Sequence, residues 1–247
     1  MSEERIAAAA DELDAARRSG RRIAAIAAGN APATPATAYR IHYETARRRG
    51  GIGGWKISPG REDGAAIPAD VVLPSPALFA SPLPIVVEVE IAFRIGRDLP
   101  PREVPYELDS VCDAVASIHP ALEIQGSRYF EPKAVDPLLL LADGQSCLAL
   151  VWGEGIANWR DVAFDKVNIG LAIDGVTVAD RPRGAPTEDV LATLVWLANH
   201  AASSCGGLTA GTMVITGARA GPVSVIPDCG VRGEVSGIGT VSVTLHR

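Results

Sequence analysis

No C-x-x-C pair joins the four cysteines of this 247-residue chain, Cys112, Cys147, Cys205 and Cys229. Their wide separation argues against a zinc knuckle or a redox dithiol. They read as reduced, structural thiols in a cytoplasmic protein. No window approaches about 18 uninterrupted apolar residues, so no membrane-spanning helix is expected. The N-terminus, "MSEERIAAAADELDAARR", carries acids and lacks an apolar h-region, so no signal peptide is expected there. No run of basic residues is longer than Arg47–Arg49, and the net charge is −6. Non-specific nucleic-acid binding is therefore disfavoured. Neither a Walker A nor a G-x-G-x-x-G signature is present, and "GGIGGWK" has the wrong spacing for either. The four histidines, His42, His119, His200 and His246, are scattered.

What remains is a composition of 47% hydrophobic and 21% charged residues, which suits a folded chain with a sizeable core. Residues 2–18 read as a helix, with Ser2 able to cap it and Glu3 and Glu4 at its positive end. Thr34 and Pro35 open a second helix that runs to Arg47–Arg49 and ends at Gly50-Gly51. "GWKIS" leads into a Pro- and Gly-rich stretch, 59–84, long for a structureless connection and of the kind that is functional or mobile. Strand 85–93 follows, then a helix expected from about Tyr106 to Ile118. "PALEI" and "SCLALVW" read as strands. "VNIGLAIDGVTVAD" reads as a hairpin turning on Asp174-Gly175. Thr187 is expected to cap an amphipathic helix carrying Leu191, Leu194, Val195, Ala198 and Ala201 and closed by Gly206-Gly207. The strands "TMVITG", "PVSVIP", "VRGEVSG" and "TVSVTL" finish the chain. The expectation is one α+β domain spanning 1–247, with a helical N-terminal segment, 1–55, and a strand-rich body, 56–247.

The unusual stretch is "IVVEVEIAF", residues 85–93, where two carboxylates interrupt an apolar strand. Successive strand residues face opposite ways, so Glu88 and Glu90 share one face while Val87, Val89 and Ile91 share the other. Burying an unpaired carboxylate costs several kcal/mol, about 2 or more by any reference. Glu123, in the apolar "PALEI", is a third acid in a similar setting. A hard divalent cation such as Mg²⁺ or Mn²⁺ neutralises such a set and leaves positions open for water or substrate. The competing reading is that E-x-E is simply the wet face of a half-exposed strand. The pattern by itself leaves both open.

"EVEIAFRIGRDLP", "PALEIQGSRY", "LLLLADGQSCLALVWG" and "VWLANHAASSCGGLTAGTMVITG" resemble the 2-keto-4-pentenoate hydratase and 4-oxalocrotonate decarboxylase branch of the fumarylacetoacetate hydrolase superfamily. "AYRIHYETARRRGGIGGWKI" resembles its N-terminal part. The resemblance implies a mixed β-roll body with flanking helices and a divalent metal on Glu88, Glu90 and Glu123. It matches Lys56 to a family lysine placed for proton transfer or charge stabilisation, and Arg128 to an arginine near the third ligand. Asp143 falls in a segment of the family site, with Gln145 as a polar neighbour. Thr216 and Gly217 match a turn that lines the family pocket. It also implies a homo-oligomer acting on a small 2-oxo acid, without nucleic-acid or membrane partners.

Two stretches depart from the family pattern. "KISPGREDG" stands where family hydratases continue "KIGLTS", and "RPRGAPTED", residues 181–189, replaces a stretch often reading "G-H/N-P". The His–Glu dyad of the hydrolase branch is missing, which disfavours C–C bond hydrolysis. The expected reaction is hydration of a 2-hydroxydienoic acid. Decarboxylation of a 2-oxo acid stands as its alternative, and a catalytically reduced homologue that binds a 2-oxo acid or supports a partner as another.

Overall fold

The computed structural model describes residues 1–179 and 184–247. Two helices open the chain, α1 (Glu3–Ser19) and α2 (Pro35–Arg48). Ser2 caps α1 by accepting from the Arg5 N–H, and Gly20 leaves it in the left-handed region at φ 70°. Thr34 caps α2, with Pro35 in its first turn. A β-rich body follows: β1 (Ile52–Ile57), β2 (Gly64–Pro68), β3 (Val72–Pro74), β4 (Ala77–Ala80) and β5 (Ile85–Ile95). Next come the short helix α3 (Leu108–Cys112), β6 (Val115–Gln125), the short helix α4 (Pro137–Ala142), β7 (Cys147–Trp152), β8 (Ile169–Ile173) and β9 (Val176–Ala179). Then α5 (Thr187–Ser204) precedes β10 (Met213–Ile215), β11 (Ala220–Val225), β12 (Cys229–Val235) and β13 (Gly239–His246).

The strands form two sheets. One runs β2-β1-β10-β5-β6-β7-β3, with β11 also paired to β5; the other runs β4-β13-β12-β8-β9. Strands β5 and β6 are the centre of the first sheet, joined antiparallel from Val86↔Gln125 to Ile95↔Val115. Val87, Val89 and Ile91 are fully buried and face the second sheet. There a Cβ added at Gly233 of β12 would lie 3.2 Å from Val89. The opposite face of the same two strands carries the acids. A separate apolar cluster, built on Ile6, Leu13, Ile41, Tyr129, Leu139 and Leu141, packs α1 and α2 against α4. The mixed α+β architecture is the one expected.

Three local expectations are corrected. Stretch 59–84 is not a structureless connection: β2, a 3-10 turn at Ala69–Val71, β3 and β4 occupy most of it. Its prolines punctuate very short strands, several of them at strand ends, where the missing N–H costs no ladder bond. The helix expected over 106–118 is only α3, and Val115–Ile118 is strand, because pairing with β5 extends the ladder that far. Thr187 is the first residue of α5 rather than its cap. Pro186 holds the cap position, and Thr187 Oγ1 accepts from the Phe164 N–H. The hairpin turn is as expected, with Asp174 and Gly175 both at positive φ, 48° and 79°. The departure at 181–189 lies partly outside the described residues.

Candidate metal centre

Glu88 and Glu123 are direct cross-strand neighbours, and Glu90 stands opposite Ala121 on the same face. One oxygen from each of Glu88, Glu90 and Glu123 lies within 4.8 Å of the others. The face is not wet: Glu90 is 2% exposed and Glu123 is fully buried, while Glu88 is half-buried. The wet-face reading is thereby excluded.

Opposed like charges on neighbouring strands repel, and the surroundings compensate in part. Gln125 Nε2 donates to Glu88 Oε2 at 2.8 Å and to Glu123 Oε2 at 2.9 Å. Lys56 Nζ, from β1, donates to Glu123 Oε1 at 2.6 Å and to the Gln145 carbonyl at 3.3 Å. Glu90 Oε2 is buried with no hydrogen-bond partner among the described residues. Burial, and then the Glu123 charge, push the Glu88 carboxyl up to about 7. The same two causes hold the Glu90 carboxyl well above the usual range. Burial opposes the Lys56 ammonium, but Glu123 and its neighbours outweigh it, so Lys56 stays above the ordinary lysine range. It is a persistent cation. An all-oxygen donor set, one member unpartnered, is what a hard divalent cation takes.

Lys56, Gln125 and Gln145 line a cavity of about 570 Å³ together with Arg61, Asp63 and the leucine side of α4. The carboxylates do not line it themselves; Lys56 and Gln125, which do, bond Glu123 and Glu88. The other expected site residues stand elsewhere. Arg128 and Asp143 form a fully buried ion pair. Arg128 also donates to the Asp143 carbonyl, to Gly126 O at 2.9 Å and to Cys147 O at 3.2 Å. Neither residue lines the cavity with Lys56. They hold the turn between α4 and β7, in which Gly144, Gln145 and Ser146 all have positive φ, 68°, 49° and 66°. Two consecutive non-glycine residues there are strained, and the strained Gln145 presents its carbonyl to Lys56. Thr216 braces β5 from β10's end, and the Gly217 carbonyl accepts from Arg219 Nη1 at 3.0 Å. Thr216 Oγ1 donates to Ile91 O at 3.0 Å, and neither residue lines the cavity.

Four residues of this neighbourhood escaped sequence reading. Gln125 shares the face of Glu123 by strand alternation, a signal that was present. Asp63 and its partner Arg61 reach the cavity from the divergent "KISPGREDG", whose path no local pattern gives. Arg219, buried just ahead of β11, arrives through long-range pairing alone.

Two mixed sheets thus carry a triad of strand carboxylates, two of them buried, beside a cavity lined by a lysine. The chain belongs to the fumarylacetoacetate hydrolase family: residues 60–246 match the family profile described as Fumarylacetoacetate (FAA) hydrolase C-terminal. It is 32% identical over 158 residues to 4-oxalocrotonate decarboxylase from Pseudomonas sp, which covers 63% of this chain and 59% of that protein. It is also 32% identical over 157 residues to 2-keto-4-pentenoate hydratase from Paraburkholderia xenovorans, covering 63% and 56%. The match therefore spans less than two thirds of either relative. Among solved structures, 4-oxalocrotonate decarboxylase from Pseudomonas putida, complexed with magnesium and adipate, aligns with a TM-score of 0.83 at 23% identity over 99% of this chain and 98% of that one. The family expected from the sequence is the family found. Among the described residues, no helix is long and apolar enough to cross a membrane.

Proposed function

We propose that the chain is a divalent-metal-dependent lyase acting on a small 2-oxo or 2-hydroxydienoic acid, as a hydratase of the 2-keto-4-pentenoate type. The observation that carries this is the convergence of Glu88, Glu90 and Glu123 within 4.8 Å beside a cavity lined by Lys56. Those three carboxylates would hold Mg²⁺ or Mn²⁺. Bound there, the ion supplies Lewis acidity toward the 2-oxo and carboxylate oxygens of the substrate.

The rest is done by side chains of the chain itself. Lys56, paired with Glu123 at the cavity wall, offsets negative charge that develops on the substrate oxygen. Gln125 fixes the rotamers of Glu88 and Glu123 through its two donated bonds. Asp63, in the cavity wall and paired with Arg61, is the carboxylate placed to exchange a proton with substrate or water. Arg128 and Asp143 are positioning residues that hold the Gln145 turn. Thr216 acts on β5 from behind, through its bond to Ile91 O, and Gly217 lies in the turn that follows it. A cytoplasmic homo-oligomer built from one such domain per chain completes the reading.

A decarboxylase stands as the second reading, favoured by the equal identity to a hydratase and a decarboxylase. Both would use the same ion and cavity; hydration adds the H and OH of water across the alkene, whereas decarboxylation breaks a C–C bond and releases CO₂. The purified protein with Mg²⁺ is expected to consume 2-hydroxypenta-2,4-dienoate with addition of water, and to release no CO₂ from 4-oxalocrotonate. CO₂ release from the latter would assign the second reading. Activity of Glu90→Gln without metal, equal to that of the wild type with it, would sink the metal-dependent reading altogether.

A further inference from the structure

Arg219 is a buried cation, 1% exposed, that the chemistry above leaves without a role. Its backbone N–H donates to Val89 O at 2.7 Å. Its Nη1 donates to the carbonyls of Thr216 and Gly217, both at 3.0 Å, and its Nη2 reaches Thr216 Oγ1 at 3.3 Å. Thr216 Oγ1 in turn bonds Ile91 O. The segment Thr216–Arg219 thus grips the carbonyls on either side of Glu90. Burial pushes the Arg219 guanidinium down, and the nearby Glu90 charge pulls the other way. No direct Arg219–Glu90 ion pair is formed among the described residues. The guanidinium is anchored on backbone acceptors and not on the carboxylate itself.

We propose that Arg219 is a positioning residue that sets the charge balance of the acid triad, loosening its hold on a divalent cation and reserving positive field for an anionic substrate. This rests on the reading that Glu88, Glu90 and Glu123 hold such a cation. Ionised, as a bound cation requires, the three carboxylates against Lys56 and Arg219 leave one net negative charge. A divalent ion turns that into one net positive charge, and a monoanionic 2-oxo acid then brings the buried site to neutrality. Without Arg219 the triad, Lys56 and ion are neutral together, and the substrate would bring in an uncompensated buried charge, which is costly at low dielectric. Lys56 cannot fill the same office, because its ammonium is bonded to Glu123 itself. Arg219 does not line the cavity, so it acts through its field and not by touching the substrate.

The test is calorimetric titration of Mn²⁺ into the wild type, Arg219→Gln and Arg219→Lys, followed by oxalate into each Mn²⁺-loaded protein, with thermal melting as the check on folding. In Arg219→Gln, Mn²⁺ is expected to bind about three- to tenfold tighter and oxalate about three- to tenfold weaker, the scale of one screened charge at short range. Arg219→Lys, which keeps the charge, is expected to stay within about twofold of wild type for both. Opposite shifts are the signature of charge; a loosened clamp on Glu90 would weaken both. Shifts in the same direction, no shift, or a Lys variant that departs as far as the Gln variant would overturn the proposal. If Arg219→Gln does not fold, Arg219→Met takes its place, and failure of both to fold assigns Arg219 to stability and overturns it too. A wild type that binds no Mn²⁺ overturns the metal reading itself, and this inference with it.

Discussion

Glu90 shows most plainly what the site asks of the fold. Its carboxylate is 2% exposed, one oxygen lacks a partner among the described residues, and Glu123 stands close by with the same charge. Such a group opposes folding and is kept for what it binds. Glu90→Gln keeps the shape and removes the charge. With EDTA present, the variant is expected to be more stable than the wild type by about 1–3 kcal/mol. With millimolar Mn²⁺, the wild type is expected to gain in melting temperature while the variant gains little, since a ligand stabilises only the state that binds it. Paired melts with and without metal check both halves. A variant less stable than wild type in EDTA would mean that Glu90 is already compensated and that the buried charge carries no cost. Lys56 gives a complementary outcome at the same scale. Lys56→Met is expected to lower turnover at least tenfold with Mn²⁺ binding intact or tighter, because the ammonium and the ion share Glu123. Activity assays beside Mn²⁺ titration separate the two effects.

At the scale of elements, β5 and β6 were largely legible and the connections were not. The alternation in "IVVEVEIAF" put Glu88 and Glu90 on one face, and the ladder Glu88↔Glu123 brings the third acid beside them. Alternation is a local property, so a single chain displays it. What lay outside local pattern was extent and approach. The helical look of 106–118 ended early because Val115 found a partner in Ile95. The short strands of 59–84 exist only because the first and second sheets offer them edges, as β3 on β7 and β4 on β13. Lys56, Arg128 and Asp143 came from likeness to a family, and their places differ. Lys56 faces the cavity, whereas Arg128 and Asp143 lie under the α4–β7 turn. That difference is testable. Breaking the pair by Arg128→Met leaves Asp143 buried and uncompensated, with an expected loss of about 3–5 kcal/mol. Adding Asp143→Asn to the same protein is expected to restore part of it, a coupling that urea denaturation of the four-member cycle measures. Additive losses would mean that the two side chains do not act as a pair.

For the whole molecule, the question is how the N-terminal helices stay docked on the sheets, since the turn behind Lys56 lies at that junction. Besides the apolar cluster joining α1, α2 and α4, the junction holds polar groups that burial has disfavoured in their charged forms. His42 of α2 is 4% exposed, and a Cβ added at Gly144 of the turn would lie 2.6 Å from its ring. Burial lowers the His42 imidazole to about 4, with Arg128 and Arg17 adding to the same direction. Arg17, on the last turn of α1, is itself lowered to about 9 by burial and by Arg128. His42 is therefore neutral in the fold and titrates at its ordinary value, about 6.5, once unfolded. Between those two values the unfolded chain binds the extra proton, so stability falls as pH falls. The contribution is complete above pH 6.5 and gone below about pH 4. Going from pH 7 to pH 5 is expected to remove about 2 kcal/mol through this group. His42→Gln is expected to abolish that share, so the gap between the urea unfolding free energies at the two pH values should be about 2 kcal/mol smaller in the variant than in the wild type. An equal gap in both proteins would show that protonation of His42 does not govern acid release of the helices.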